Sequence, residues 1–208
     1  MEQDKSHWEK VYQTKDSTEV SWYRNHLDTS LAFIEQTGIS RDARIIDVGG
    51  GASTLVDDLL AQGYANVSVL DISAAALATA KARLGAQGEK VQWLEADITR
   101  AELPHHYYDV WHDRAVFHFL TGADDRQHYV ERVLHAVKPG GHIIMACFGP
   151  DGPLQCSGLD TVRYSPDRLH GEFGAPFRLV NSASEDHRTP FGKEQQFVYC
   201  YCRVEADN

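Results

Sequence analysis

The chain has 208 residues, 42% hydrophobic and 24% charged, the balance of a globular chain able to bury one sizeable core. Its formal net charge of -10 repels phosphate backbones, so no nucleic-acid partner is expected. No apolar run approaches the ~18 residues of a membrane helix, and the charged opening MEQDKSHWEK lacks a signal peptide's apolar stretch; no membrane partner and a cytoplasmic location are expected.

Residues 1–30 are polar overall but hold Trp8, Tyr12, Trp22 and Tyr23, too aromatic for a disordered tail. On a helix, Trp8 and Tyr12 share one face. Helical spacing from Leu27 to Thr37 predicts a helix closed by Gly38. Strand 44–48, helix 53–62, strand 66–71, helix 73–84 and strand 91–96 follow. YDVWHDRAV reads as a strand from Tyr108 to about His112. DDRQHYVERVLHAV is an amphipathic helix stopped by Lys138-Pro139-Gly140-Gly141, and HIIMACF is a buried strand. FRLVNSASEDHRTP and QQFVYCYCRV leave little room for a helix between them and are predicted to pair as an antiparallel hairpin. Alternating strands and helices imply an α/β fold, a parallel sheet covered on both faces. A single domain spanning 1–208 is expected, with an aromatic arm at 1–30 and a core at 40–205.

Such sheets bind ligands at the carboxyl ends of their strands. In DVGGGAS, Gly49 and Gly51 hold a G-x-G spacing where a strand stops and a helix opens. Glycines let the backbone approach a ligand closely, and the free N–H groups of the helix favour a polar or anionic group. Asp71 ends the next strand 22 residues on, where an acid accepts hydrogen bonds from ribose hydroxyls. Asp97 closes the third strand with Ile98 beside it, an acid and an apolar side chain suited to an adenine amino group and ring face. Two features argue against a dinucleotide. Thr54 stands at the third glycine position of G-x-G-x-x-G, and Asp47 precedes the glycines where such turns are generally apolar.

These segments resemble the class I S-adenosylmethionine-dependent methyltransferases along nearly the whole chain: IIDVGGGAS, LDIS, EADIT, YDVWHDRAV and LHAVKPGGHIIMACF correspond to their successive motifs. The resemblance implies a Rossmann-like, seven-stranded, mostly parallel sheet whose last strand is antiparallel. It implies S-adenosyl-L-methionine as cofactor, S-adenosyl-L-homocysteine as product, and Asp47, Gly49, Gly51, Asp71, Ile72, Asp97 and Ile98 as cofactor-binding residues. Ser53 is a departure, standing where the family often has a further glycine; its hydroxyl suits a helix N-cap. HWEKVYQTKDSTEVSWY looks like the opening of the elongation-factor lysine methyltransferases and their bacterial relatives. That likeness implies that Trp8, Tyr12 and Trp22 cover the methionine end, where aromatic faces attract a sulfonium.

The fourth motif lacks Asn/Asp-Pro-Pro-Tyr/Phe. HDRAVFHFL is similar to D-K-G-T-L-D of the lysine methyltransferases and equally to D-R-G-A-L of the thiopurine S-methyltransferases. His112, Asp113 and Arg114 are therefore the candidate catalytic residues, with His118 and His187 as further candidate bases. The expected acceptor is a small-molecule nucleophile such as a thiol or amine, with a protein lysine side chain as the alternative and a non-catalytic cofactor-binding domain as an alternative of another class. Cys147, Cys156, Cys200 and Cys202 match no zinc spacing, so no metal is expected.

Overall fold

The computed structural model describes residues 2–205. Seven strands form one sheet: β1 (Arg44–Val48), β2 (Asn66–Asp71), β3 (Gln92–Glu95), β4 (Tyr108–Arg114), β5 (Val137–Phe148), β6 (Phe177–Arg188) and β7 (Glu194–Val204). Their spatial order is 3-2-1-4-5-7-6. The first five run parallel, and β7 is antiparallel to both β5 and β6, so the last strand in sequence is the reversed one.

The pattern of side chains dictates the layers. β1 and β2 are apolar runs, buried on both faces after their first residue. Helices α2 (Asp28–Gln36), α3 (Leu55–Ala61) and α4 (Ala74–Leu84) supply Phe33, Ile34, Leu55, Leu59 and Leu77 to one face. Helices α5 (Ala123–Ala136) and α6 (Pro166–Phe173) supply Tyr129, Val133, Leu169 and Phe173 to the other. The N-terminal helix α1 (Glu2–Thr14) packs on α4. Glu9 accepts hydrogen bonds from the Ser73 hydroxyl (2.7 Å) and the Ala75 amide (2.9 Å), placing a carboxylate at the α4 N-terminus, where it complements the helix dipole.

Several boundaries differ from the sequence reading for identifiable reasons. β4 runs two residues further, to Arg114, because its pairing with β5 continues to Ala146. Lys138-Pro139-Gly140-Gly141 does not follow the α5 helix as a separate stop: α5 ends at Ala136 and the four residues form a bulge at the start of β5. Lys138 is held there by Asp109 (Nζ to Oδ1, 2.6 Å), at the strand end opposite the glycine turn. The third helix starts at Leu55, not residue 53. The Ser53 hydroxyl still accepts from the Leu55 amide (3.2 Å), while Thr54 donates its hydroxyl to the Arg24 carbonyl. Helix α6 was not anticipated. Ser165 caps it by accepting from the Arg168 amide, and Pro166 opens it.

Candidate active site

The strand order reverses between β1 and β4, and a cleft of about 410 Å³ opens there at the carboxyl ends of the strands. Its floor comes from Gly49, Asp71 and Ile72, and from Asp97 and Ile98. Trp8, Tyr12 and Trp22 of the arm wall one side, with Arg114, Val116 and Phe119 beyond the end of β4. A short ribbon, Gln155–Cys156 paired with Leu159–Asp160, brings Cys156 and Leu159 to the rim.

The glycine turn is shaped by what its backbone must pass. Gly49 has φ +67°, and a Cβ there would sit 1.8 Å from Val116 Cγ2. Gly51 has φ +41°, and its Cβ would meet Asp71 Oδ2 at 2.7 Å. Any side chain at either position would strain the backbone and invade the acid or the cleft wall.

Asp71 is 7% exposed, with Oδ1 accepting from the Ser73 amide at 2.8 Å. Burial, and then the charges of Asp47 and Glu9, push its carboxyl up to about 7 against the hydrogen bonds that oppose it. Asp97 Oδ1 accepts from the amide and hydroxyl of Thr99 (2.9 and 2.7 Å), which fixes its carboxylate beside Ile98. These two acids, spaced across adjacent strand ends, and the glycine cradle between β1 and α3 fit the ribose and adenine of a nucleoside cofactor.

Trp8 packs on Tyr12, Trp22 and Phe119 with ring centroids 6.5, 5.6 and 5.2 Å apart, forming an aromatic wall. Burial, then the nearby Asp71 charge, raise the Tyr12 phenol, so it stays protonated.

The structure places the other candidates differently. His112 is 1% exposed and lies behind the cleft, its Nδ1 at 2.7 Å from Asp47 Oδ1 and its Nε2 at 2.9 Å from Ser30 Oγ. Asp47 thus faces His112 beneath the turn rather than the main cleft, and a Cβ on Gly50 would lie 2.5 Å from its Oδ2. Asp113 is fully buried on the opposite face, accepting from the Tyr129 hydroxyl (2.6 Å) and the Val116 and Phe117 amides (2.9 and 3.2 Å). It holds a tight turn in which Ala115 has φ +74°. The expectation that His112 and Asp113 meet an acceptor directly is corrected by this alternation: in a strand covered on both faces their side chains point into the two layers. Arg114, at the strand end, does line the cleft.

His118 is buried; burial, then the Arg114 charge, push it down to about 3 and keep it neutral. His187 lies in the core with Nε2 2.7 Å from the Ser21 carbonyl. Cys147 is fully buried away from the cleft, whereas Cys156 lines it. Sequence reasoning missed Glu9, whose only signal is its place next to Trp8 and about one turn before Tyr12. It also missed Asp125, in the first turn of α5, and Asp160, on the short ribbon, both of which line the cleft.

A strand-end cleft of this kind defines a nucleoside-cofactor site on a Rossmann-like sheet. The methyltransferase-domain family matches residues 45–141. The chain is 28% identical over 108 residues to the eEF1A lysine and N-terminal methyltransferase of Mus musculus, covering 52% of this chain and 15% of that protein. It is 32% identical over 104 residues to an uncharacterized methyltransferase of Mycobacterium tuberculosis, covering 50% of each. The match thus spans a small part of the mouse protein and half of the mycobacterial one.

Among solved structures, one from work on the conversion of a disulfide bond into a thioacetal group during echinomycin biosynthesis superposes with a TM-score of 0.81 at 17% identity, covering 99% of this chain and 94% of that one. The Burkholderia thailandensis 1,6-didemethyltoxoflavin-N1-methyltransferase, solved with 1,6-didemethyltoxoflavin and S-adenosylhomocysteine bound, superposes at 0.70 and 16%, covering 97% and 87%. Residues 45–141 thus match a methyltransferase domain, on a fold shared with solved S-adenosylmethionine-dependent methyltransferases, and S-adenosyl-L-methionine is the cofactor that these likenesses support.

Proposed function

We propose that the chain transfers a methyl group from S-adenosylmethionine to a small-molecule nucleophile. The observation that carries this reading is the size and lining of the cleft: residues of the arm and the ribbon stand beside the strand ends and bound a cavity of about 410 Å³, a small-molecule volume. When bound, the cofactor supplies an electrophilic methyl group on a sulfonium. In this reading Asp71, Asp97 and Ile98 hold the nucleoside, and Ile72 with the Gly49–Gly51 turn frames it. Trp8, Tyr12 and Trp22 cover the methionine end and exclude water, favouring the in-line approach on which such a displacement depends. His112 with Asp47, and Asp113 with Tyr129, act as positioning residues for the glycine turn and the β4 end.

Among the described residues, no imidazole lines the cleft. An acceptor that ionises easily therefore suits it better than one that needs a strong base. A thiol near pKa 8.5 needs far less help than a lysine ammonium near about 10.4. The two solved relatives, whose names refer to a thioacetal and to 1,6-didemethyltoxoflavin, support the small-molecule reading. A protein lysine acceptor is the second reading, favoured by the name of the mouse relative and the aromatic arm.

The test is transfer of radiolabelled methyl from the cofactor to a panel of small thiols and amines, run beside a protein lysate. Label in the small-molecule fraction is the expected result. Label only in protein lysine replaces this reading with the second, and tight S-adenosylhomocysteine binding without transfer to either leaves a non-catalytic binding domain.

A further inference from the structure

We infer that Arg114 binds a carboxylate of the acceptor, which makes the substrate class an anionic small molecule. The inference rests on the proposed small-molecule reading and deepens it.

The Arg114 side chain is 5% exposed and lines the cleft. Nη1 gives a hydrogen bond to the Trp22 carbonyl at 3.2 Å, while, among the described residues, Nε and Nη2 are buried without a hydrogen-bond partner. A guanidinium carries five N–H donors in a rigid fork, and leaving them unmet in a buried setting is costly. The nearest acid does not meet them. Glu185 Oε1 lies 3.6 Å from Nη2 and already accepts from Arg24 Nη1 at 2.8 Å; its Oε2 takes the Thr29 hydroxyl. Two guanidiniums therefore share one carboxylate, which leaves one positive charge unmatched.

The surroundings do not supply the missing anion. Phe197 covers one face of the guanidinium, its ring centroid 4.2 Å from Cζ, so the edge donors are fixed in orientation. The imidazoles that feel its charge, His118 and His187, are held neutral by burial, and each has a ring nitrogen without a partner. Among the described residues, Arg114 is the one cation lining a cleft that otherwise carries Asp71, Asp97, Asp125 and Asp160. An anion entering this cleft is repelled everywhere except at Arg114, and a planar carboxylate matches its fork in two parallel hydrogen bonds. The aromatic and aliphatic walls at Trp22, Phe119 and Leu159 suit an apolar body attached to that carboxylate.

The probe is benzoate, titrated by calorimetry into the full-length protein saturated with S-adenosylhomocysteine, with the uncharged benzamide as its control. Benzoate is expected to bind the wild-type complex at least about tenfold more tightly than benzamide. In Arg114→Met that preference should vanish, while Arg114→Lys, which keeps the charge and loses the fork, should retain part of it. Affinity for S-adenosylhomocysteine should stay within about threefold of wild type in both variants, since the donors serve the acceptor.

Equal binding of benzoate and benzamide by the wild-type complex overturns the inference without any variant, and so does an Arg114→Met variant that keeps the preference. A loss of S-adenosylhomocysteine affinity in Arg114→Met, with 5′-methylthioadenosine binding unchanged, also overturns it by assigning the guanidinium to the cofactor's own carboxylate. Failure of the wild-type chain to bind S-adenosylhomocysteine at all would instead strike the methyltransferase reading beneath it.

Discussion

At Asp71, burial opposes ionisation, and the charges of Asp47 and Glu9 add to it, so the carboxyl is pushed up to about 7. As a ribose acceptor it works best as a carboxylate, so ligand binding draws a proton off between neutral and mildly acid pH. The sign follows: affinity for S-adenosylhomocysteine should rise as pH increases from about 6 to about 7 and level off above, with at most about a tenfold gain per pH unit. Calorimetry across that range checks it, and Asp71→Asn should flatten the profile. A wild-type profile that is already flat would remove Asp71 from the ribose role.

Tyr129→Phe tests the turn that presents Arg114 and Val116. It removes the hydroxyl that donates to Asp113 and accepts from Trp111 Nε1, at 2.6 and 2.9 Å, leaving two buried groups short of a partner. A loss of about 1–3 kcal/mol in urea unfolding is expected. An unchanged midpoint would mean that the turn is held by its backbone alone. At this scale the placing of Asp71 and Asp97 at strand ends beside the cleft was legible, because an acid that closes an apolar run marks where the strand stops. His112 and Asp113 were not placed correctly, because the sequence shows a strand end near His112 while pairing with β5 carries the strand to Arg114.

Among the elements, α1 is the one that brings Trp8 and Tyr12 to the cleft, and in the proposed reading its role bears most directly on catalysis. Deleting residues 1–25 would also remove Val11 and Val20 from the core, so loss of activity would be confounded with loss of stability. Trp8→Ala is the cleaner change. If the aromatic wall attracts the sulfonium, affinity for S-adenosylmethionine should fall more than affinity for the uncharged thioether S-adenosylhomocysteine. The differential corresponds to about 0.5–2 kcal/mol of cation–π attraction. Equal weakening of both ligands would reduce the wall to packing.

Strands β1, β2 and β7 could be read from the chain by their β-branched and aromatic runs, and β6 because too little chain separates it from β7 for a helix. Helix α6 could not: its eight residues place only Leu169 and Phe173 in the core, too few to show a period. The Lys138–Gly141 bulge was equally opaque, since a Pro-Gly pair stops a helix and opens an irregular strand with the same residues.

For the molecule as a whole, the reversal of strand order between β1 and β4 explains why residues from the arm, four strand ends and the ribbon converge on one cleft. Among the described residues, no helix is long and apolar enough to cross a membrane. The central claim is that this cleft is an S-adenosylmethionine site anchored by Asp71. Calorimetric titration of S-adenosylhomocysteine into the wild type and Asp71→Ala tests it most directly. Loss of charge-assisted hydrogen bonds worth about 1.5–3 kcal/mol each predicts saturable wild-type binding and at least about tenfold weaker binding by the variant. Equal affinity in the two proteins, or no binding by the wild type, would contradict the account.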